Sequence, residues 1–200
     1  MRAFFAIRAS FFVALCLLTA LQSSTRAQGT IVCEPGTAAT GPCPCANLPS
    51  GPGRGCNNSL NTGGASLIGG GNASISLDSF TVFAASIGST GAACSGVVTN
   101  PLSVLYQANT VTAPSFFGDG VLCAGGLVLL IKAKNATAGT FQYPQLSSDL
   151  PISAVSASLG DVLVVGATRI YFVAYRDSCP TFCTPSARNK TNSYMVTWLP

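Results

Sequence analysis

Cys179 and Cys183, in the stretch RDSCPTFCTP from Arg176 to Pro185, are the residues whose chemistry is most open. Such a pair can be a redox couple, half of a metal site, or two structural staples. A thioredoxin-type couple is Cys-x-x-Cys next to a βαβ pattern. Here the spacing is one residue longer and no helical periodicity follows. A structural zinc site needs a second matched half. The upstream cysteines Cys33, Cys43, Cys45 and Cys56 are separated by nine, one and ten residues, unlike zinc knuckles. The expectation is therefore structural disulfides, with no metal and no cofactor.

The other chemistry-bearing residues are sparse. The chain has no histidine, which removes Ser-His-acid triads, Cys-His nucleophiles, His-ligated metals and the usual general base near neutral pH. Six carboxylates remain: Glu34, Asp78, Asp119, Asp149, Asp161 and Asp177. A glycosidase needs two of them roughly 5–10 Å apart across a cleft, and Asp119 or Asp177 would be the members of such a pair. Most of the six stand beside glycine or in turn contexts, where Asp serves local hydrogen bonding. The glycine-rich stretch FFGDGVLCAGG, Phe116 to Gly126, lacks the Lys-Ser/Thr ending of a phosphate loop. Its Asp119 alone falls short of the six to eight oxygens of a calcium site. A tight turn anchored by Cys123 is the simpler reading. Phe116, Phe117, Tyr143, Tyr171, Tyr175 and Trp198 could form a sugar-stacking platform, but at least half of these rings are expected in the core.

These residues must be held by an exported chain. MRAFFAIR carries Arg2 and Arg8 without an acid, an apolar run of thirteen residues spans Ala9 to Leu21, and Thr25 and Ala27 suit a cleavage site. Residues 1–27 read as a signal peptide, with the mature start at Gln28. The run is too short for a membrane span, which needs about 20 residues. Without the leader, seven Lys/Arg face six Asp/Glu, and no basic stripe suggests nucleic acid. Cys16 leaves with the leader. Eight cysteines remain: Cys33, Cys43, Cys45, Cys56, Cys94, Cys123, Cys179 and Cys183. An even count in an exported chain implies four disulfides, whose connectivity the count leaves open. Cys43 and Cys45 stand at the far limit of mutual reach across Pro44, so each is expected to pair outward, with Cys33 and Cys56 the nearest candidates.

Residues 28–64, rich in Gly, Pro, Asn and Cys, read as an irregular cap held by its own cross-links. From residue 65 onward, short β-type runs alternate with turn residues: ASISLDSFTVFAAS, PLSVLYQAN, GLVLLIKAK, GTFQYP, PISAVSAS, GDVLVVG, ATRIYFVAYRD and SYMVTW. In the clearest strand Ile170, Phe172 and Ala174 share one face and Tyr171, Val173 and Tyr175 the other. The pattern predicts an all-β fold, an antiparallel β-sandwich of jelly-roll or immunoglobulin-like type over residues 65–200, forming one domain with the cap. Residues 177–192 are expected to form a long loop. Asn57, Asn72, Asn135 and Asn189 each head an Asn-x-Ser/Thr sequon.

GPCPCANLPSGPGRGCNNS, FFGDGVLCAGG, FQYP…SDLPIS and RIYFVAYRDSCPTFCTPSARNKTNSYMVTW, taken in that order, resemble a family of exported bacterial β-rich modules of uncharacterised function. The resemblance runs from Cys33 to Trp198 and implies secretion or cell-surface display. Two departures stand out. Ala174 replaces a frequent large aromatic, and Cys94 and Cys179 lie outside the family's usual cysteine set. Two cysteines gained together imply a Cys94–Cys179 bond, with Cys123–Cys183 joining the glycine-rich loop to the C-terminal hairpin. The functional expectation is a non-catalytic secreted or surface module that binds a glycan or a matrix protein. The alternatives are a carboxylate-dependent polysaccharide hydrolase and a purely structural envelope protein.

Overall fold

The computed structural model describes residues 29–91, 94–145, 147–183 and 187–200. The expected leader, residues 1–27, lies outside the described residues. In chain order the elements are β1 (Gly29–Cys33), β2 (Ser66–Gly70), β3 (Thr81–Ala85), β4 (Ser89–Thr90), β5 (Val97–Val98) and β6 (Leu102–Phe117). There follow β7 (Gly120–Asn135), β8 (Phe141–Tyr143), α1 (Ile152–Ser158), β9 (Thr168–Arg176), β10 (Arg188–Lys190) and β11 (Ser193–Thr197). The fold is all-β and antiparallel. A six-stranded sheet runs β1-β11-β9-β6-β7 with β10 beside β9, a three-stranded sheet runs β2-β3-β8, and β4 pairs with β5.

The alternation in β9 decides the interior, because this strand is central and both of its faces are covered. Tyr171, Val173 and Tyr175 join Leu67, Val82, Phe141, Leu105 and Trp198 in the main core, which draws residues from the large sheet and from the three-stranded sheet. Phe80 packs on Tyr171 with ring centroids 5.3 Å apart and meets Trp198 edge-on at 6.0 Å. Ile170 and Phe172 point the other way, into a second cluster with Ala108 and Ala124.

That second face is covered by the chain's longest hairpin, β6–β7. Its register shifts at Leu105/Tyr106, Ala108/Thr110 and Val111/Ser115. Such bulges bend a strand and re-aim its end. Gly126 is at φ +73°, and a Cβ there would lie 2.2 Å from the Asn109 side chain, whose Oδ1 accepts from Leu127 N at 2.9 Å. Beyond the bend the hairpin tip returns over the sheet. Phe117 meets Phe172 edge-on at 6.3 Å and lies under the Arg188 guanidinium at 4.5 Å.

Several expectations need correction. PISAVSAS is a helix and not a strand: Ile152, Val155 and Ser156 recur at helical spacing and turn inward, after Pro151. GDVLVVG forms no strand; Leu163 is buried while Val162, Val164 and Val165 are exposed. Residues 75–77 form a turn, so within the expected run ASISLDSFTVFAAS the strand spans only Thr81–Ala85. The expected irregular cap contributes a sheet strand, since β1 pairs with β11. The loop expected over 177–192 includes β10, whose Arg188, Asn189 and Lys190 pair with Arg176, Tyr175 and Ala174.

Candidate functional site

The eight cysteines form four bonds: Cys33–Cys123, Cys43–Cys56, Cys45–Cys183 and Cys94–Cys179. Cys123 therefore pairs with Cys33, and Cys183 with Cys45, in place of the expected Cys123–Cys183 bond. The reason is the course of the chain at both ends. β1 lies in the sheet, and the folded-back hairpin brings Cys123 to a Cα separation of 5.6 Å from Cys33. Only Cys43–Cys56 is internal to residues 28–64. The other two cap cysteines bind the cap to the body, closing sequence separations of 90 and 138 residues. Four disulfides match an oxidising compartment.

The carboxylates are held separately. Asp161 receives Arg169 Nε at 2.6 Å and Nη2 at 2.5 Å, and Gln107 Nε2 at 2.8 Å. The Arg169 bonds hold its pKa below the usual carboxylate range. Gln107 also donates to Ser156 Oγ on α1 and accepts from Tyr171 OH, which in turn accepts from Trp198 Nε1 at 3.3 Å. This network fastens the helix and the 159–167 loop to the sheet. Asp149 accepts from Gln145 N at 2.9 Å and pairs with Lys132 at 3.0 Å, and these bonds lower its pKa. Asp78 accepts from Ser153, and partial burial raises its pKa. Glu34 accepts from Gly53 N.

Asp119 and Asp177 are fully buried, so neither faces a substrate cleft. Asp177 accepts from the backbone N–H of Ser59 at 3.1 Å and from its hydroxyl, and burial pushes its pKa up. Asp119 sits in the turn between β6 and β7. Its N–H donates to Arg188 O, and its carbonyl accepts from Asn47 Nδ2, each at 2.9 Å. Neither acid takes a place in an open carboxylate pair.

A buried polar tract, Asn189 to Ser193, escapes sequence reasoning because NKTNS has the composition of a solvated loop. Its amides act as backbone substitutes. Asn192 accepts from Leu67 N at 2.6 Å and donates to Leu67 O at 3.0 Å, closing the free edge of β2. Asn189 donates to Asn57 O at 2.9 Å. Lys190 is 0% exposed and donates to Val121 O at 2.8 Å, Thr191 O at 2.6 Å and Ser193 Oγ at 3.4 Å, with its ammonium 5.5 Å from the Phe172 ring centre. Desolvation pushes its pKa down to about 7. The cap lies directly on this tract, so a Cβ on Gly55 would fall 2.1 Å from Lys190 O.

Of the rings considered for a sugar platform, Tyr143, Tyr171, Tyr175 and Trp198 are buried, and Phe117 packs on Phe172. Phe116 is 69% exposed. The exposed surface of the β6–β7 hairpin is distinctive in another way. Between residues 101 and 131 the single charged residue is Asp119, and it is buried. Outward stand Leu102, Val111, Phe116, Leu127, Val128 and Leu130, among amides and hydroxyls. Val128 and Leu130 are register partners of Ala108 and Tyr106 on the same sheet face. Two hollows flank the cap. One of about 320 Å³ is lined by Glu34, Leu48, Pro49 and their neighbours, and one of about 200 Å³ lies between Pro42 and Phe116.

Among the described residues no group of three or more metal-ligating side chains occurs, and no helix is long and apolar enough to cross a membrane. No protein-family model, curated protein or solved structure matches the chain.

Proposed function

We propose that the protein is an exported, non-catalytic module of the cell surface or extracellular space that binds a neutral matrix or glycan partner through the outer face of the β6–β7 hairpin. The observation that carries this reading is the stretch from residue 101 to 131 of that hairpin, which exposes six large apolar side chains and no charge, its one acid being buried. Large apolar side chains gathered on the surface of a folded domain point to contact with a partner. A neutral ligand laid along residues 101–131 desolvates no charge of that stretch. The engagement of Asp149, Asp161, Asp78 and Glu34 in local bonds, and the burial of Asp119 and Asp177, support a non-catalytic role over polysaccharide hydrolysis. The leader-like N-terminus, the four disulfides and the resemblance to exported bacterial modules support the location.

The test is a glycan array and an extracellular-matrix pull-down with the wild-type chain and with Leu130→Asp and Val128→Asp. Both substitutions lie on exposed side chains and are expected to abolish capture while leaving the fold intact. Polysaccharide cleavage in the absence of any captured ligand would contradict the proposal.

A further inference from the structure

The larger hollow lies apart from the hairpin face and has a chemistry of its own. Three of its eight lining residues are Pro35, Pro49 and Pro52, which carry no N–H. Three of the remaining donors are used internally. Gly36 N donates to Gly41 O at 2.8 Å, Leu48 N to Ala46 O at 3.0 Å, and the Thr37 hydroxyl to Glu34 O at 2.9 Å. The cleft thus offers an occupant the apolar surface of Leu48 and three prolines, with fewer free donors than its length of chain would supply.

Glu34 supplies its charge. One carboxylate oxygen accepts from Gly53 N. No Lys or Arg forms an ion pair with Glu34 among the described residues. Arg54, the other charged residue in the cap, donates instead to Gly64 O at 2.7 Å and Ser86 Oγ at 3.2 Å. Leu48 is 53% exposed at the rim. The walls are held in place: Cys33–Cys123 lies one residue before Glu34, and Cys43–Cys56 brackets Leu48 to Pro52.

We infer that this cleft is a second binding site, which takes the side chain of an arginine or lysine presented by a partner protein. The cation faces Glu34 while its methylene stem lies along Leu48 and the prolines. The pairing follows from charge complementarity, and a long basic side chain commonly buries its stem on apolar surface in this way. Rigid proline walls lower the ordering cost of capture. This site does not depend on the hairpin reading.

The probe is the capped pentapeptide Ala-Ala-Arg-Ala-Ala, titrated into ¹⁵N-labelled protein and followed by amide shifts. Shifts are expected at Gly36, Thr37, Leu48 and Gly51, and they should weaken as salt rises. A peptide with neutral citrulline in place of arginine should leave these amides unmoved. Glu34→Gln keeps an acceptor for Gly53 N and should weaken arginine binding at least fivefold. Equal shifts from the arginine and citrulline peptides, or no shifts in the cleft, would overturn the inference even if Glu34→Gln failed to fold. Leu130→Asp should bind the peptide like wild type, so loss of hairpin binding and loss of cleft binding are separately visible.

Discussion

Lys190 should make the stability of the protein rise with pH between about 7 and 10.5. Its ammonium is fully buried, with carbonyl and hydroxyl acceptors around it. Burial moves its pKa from 10.5 to about 7. Because the folded pKa is depressed, the unfolded chain binds more protons between these values, and stability increases with pH across that window. Integrating the two titrations gives a gain of about 2 kcal/mol between pH 7 and pH 9. Few other side chains titrate in this window. There is no histidine, the eight described cysteines are bonded, and unfolded tyrosines ionise only near 10. Urea unfolding of wild type and Lys190→Met at the two pH values measures the effect. Lys190→Met removes the buried charge but also the hydrogen bonds that its ammonium gives Val121 O and Thr191 O, so the readout is the pH slope and not the absolute stability. Wild type should gain about 2 kcal/mol while Lys190→Met stays flat. A flat wild type, or an equal gain in both, would refute the reasoning.

Three further outcomes follow from the same structure. Replacing both Cys33 and Cys123 by serine opens a cross-link of 90-residue separation, and denaturant unfolding should show a loss of about 4–5 kcal/mol in the chain-entropy treatment. Arg169→Met leaves the largely buried Asp161 without its bidentate partner. The expected loss at neutral pH is about 3 kcal/mol. Since Asp161 has a lowered folded pKa, the wild-type advantage is present above the unfolded value and should fade as pH falls through the folded one, which unfolding curves from pH 7 to pH 3 would record. Produced in a host that modifies Asn-x-Ser/Thr, folded protein should carry glycan at exposed Asn135 and none at Asn189, which is 0% exposed. Peptide mapping by mass spectrometry distinguishes the two sites.

The parts of the fold that the sequence makes legible are those where side-chain periodicity and burial coincide. The two faces of β9 can be read directly because Ile170 and Phe172 enter one cluster and Tyr171, Val173 and Tyr175 another. PISAVSAS misleads because three serines and two alanines fit either period, and only Ile152, Val155 and Ser156 reveal the helix once packed against the sheet. GDVLVVG has strand composition, but among the described residues it pairs with no strand, and Asp161 is instead drawn to Arg169. The disulfide pattern depends on the bend at Gly126 and on the pairing of β1 with β11, neither of which cysteine spacing encodes. Lys190 is the sharpest case. A lysine in a polar tract reads as solvated, and its burial follows from a cap that arrives from more than 130 residues upstream to cover it.

The proposed binding face can be tested most directly by site-specific photo-crosslinking in an extracellular-matrix extract. The photoreactive residue is placed at Leu130 or Val111 on the hairpin and, for comparison, at Ile68, which is exposed on the three-stranded sheet. The account predicts one common adduct from positions 130 and 111 and none from 68. Adducts from position 68 alone would contradict it.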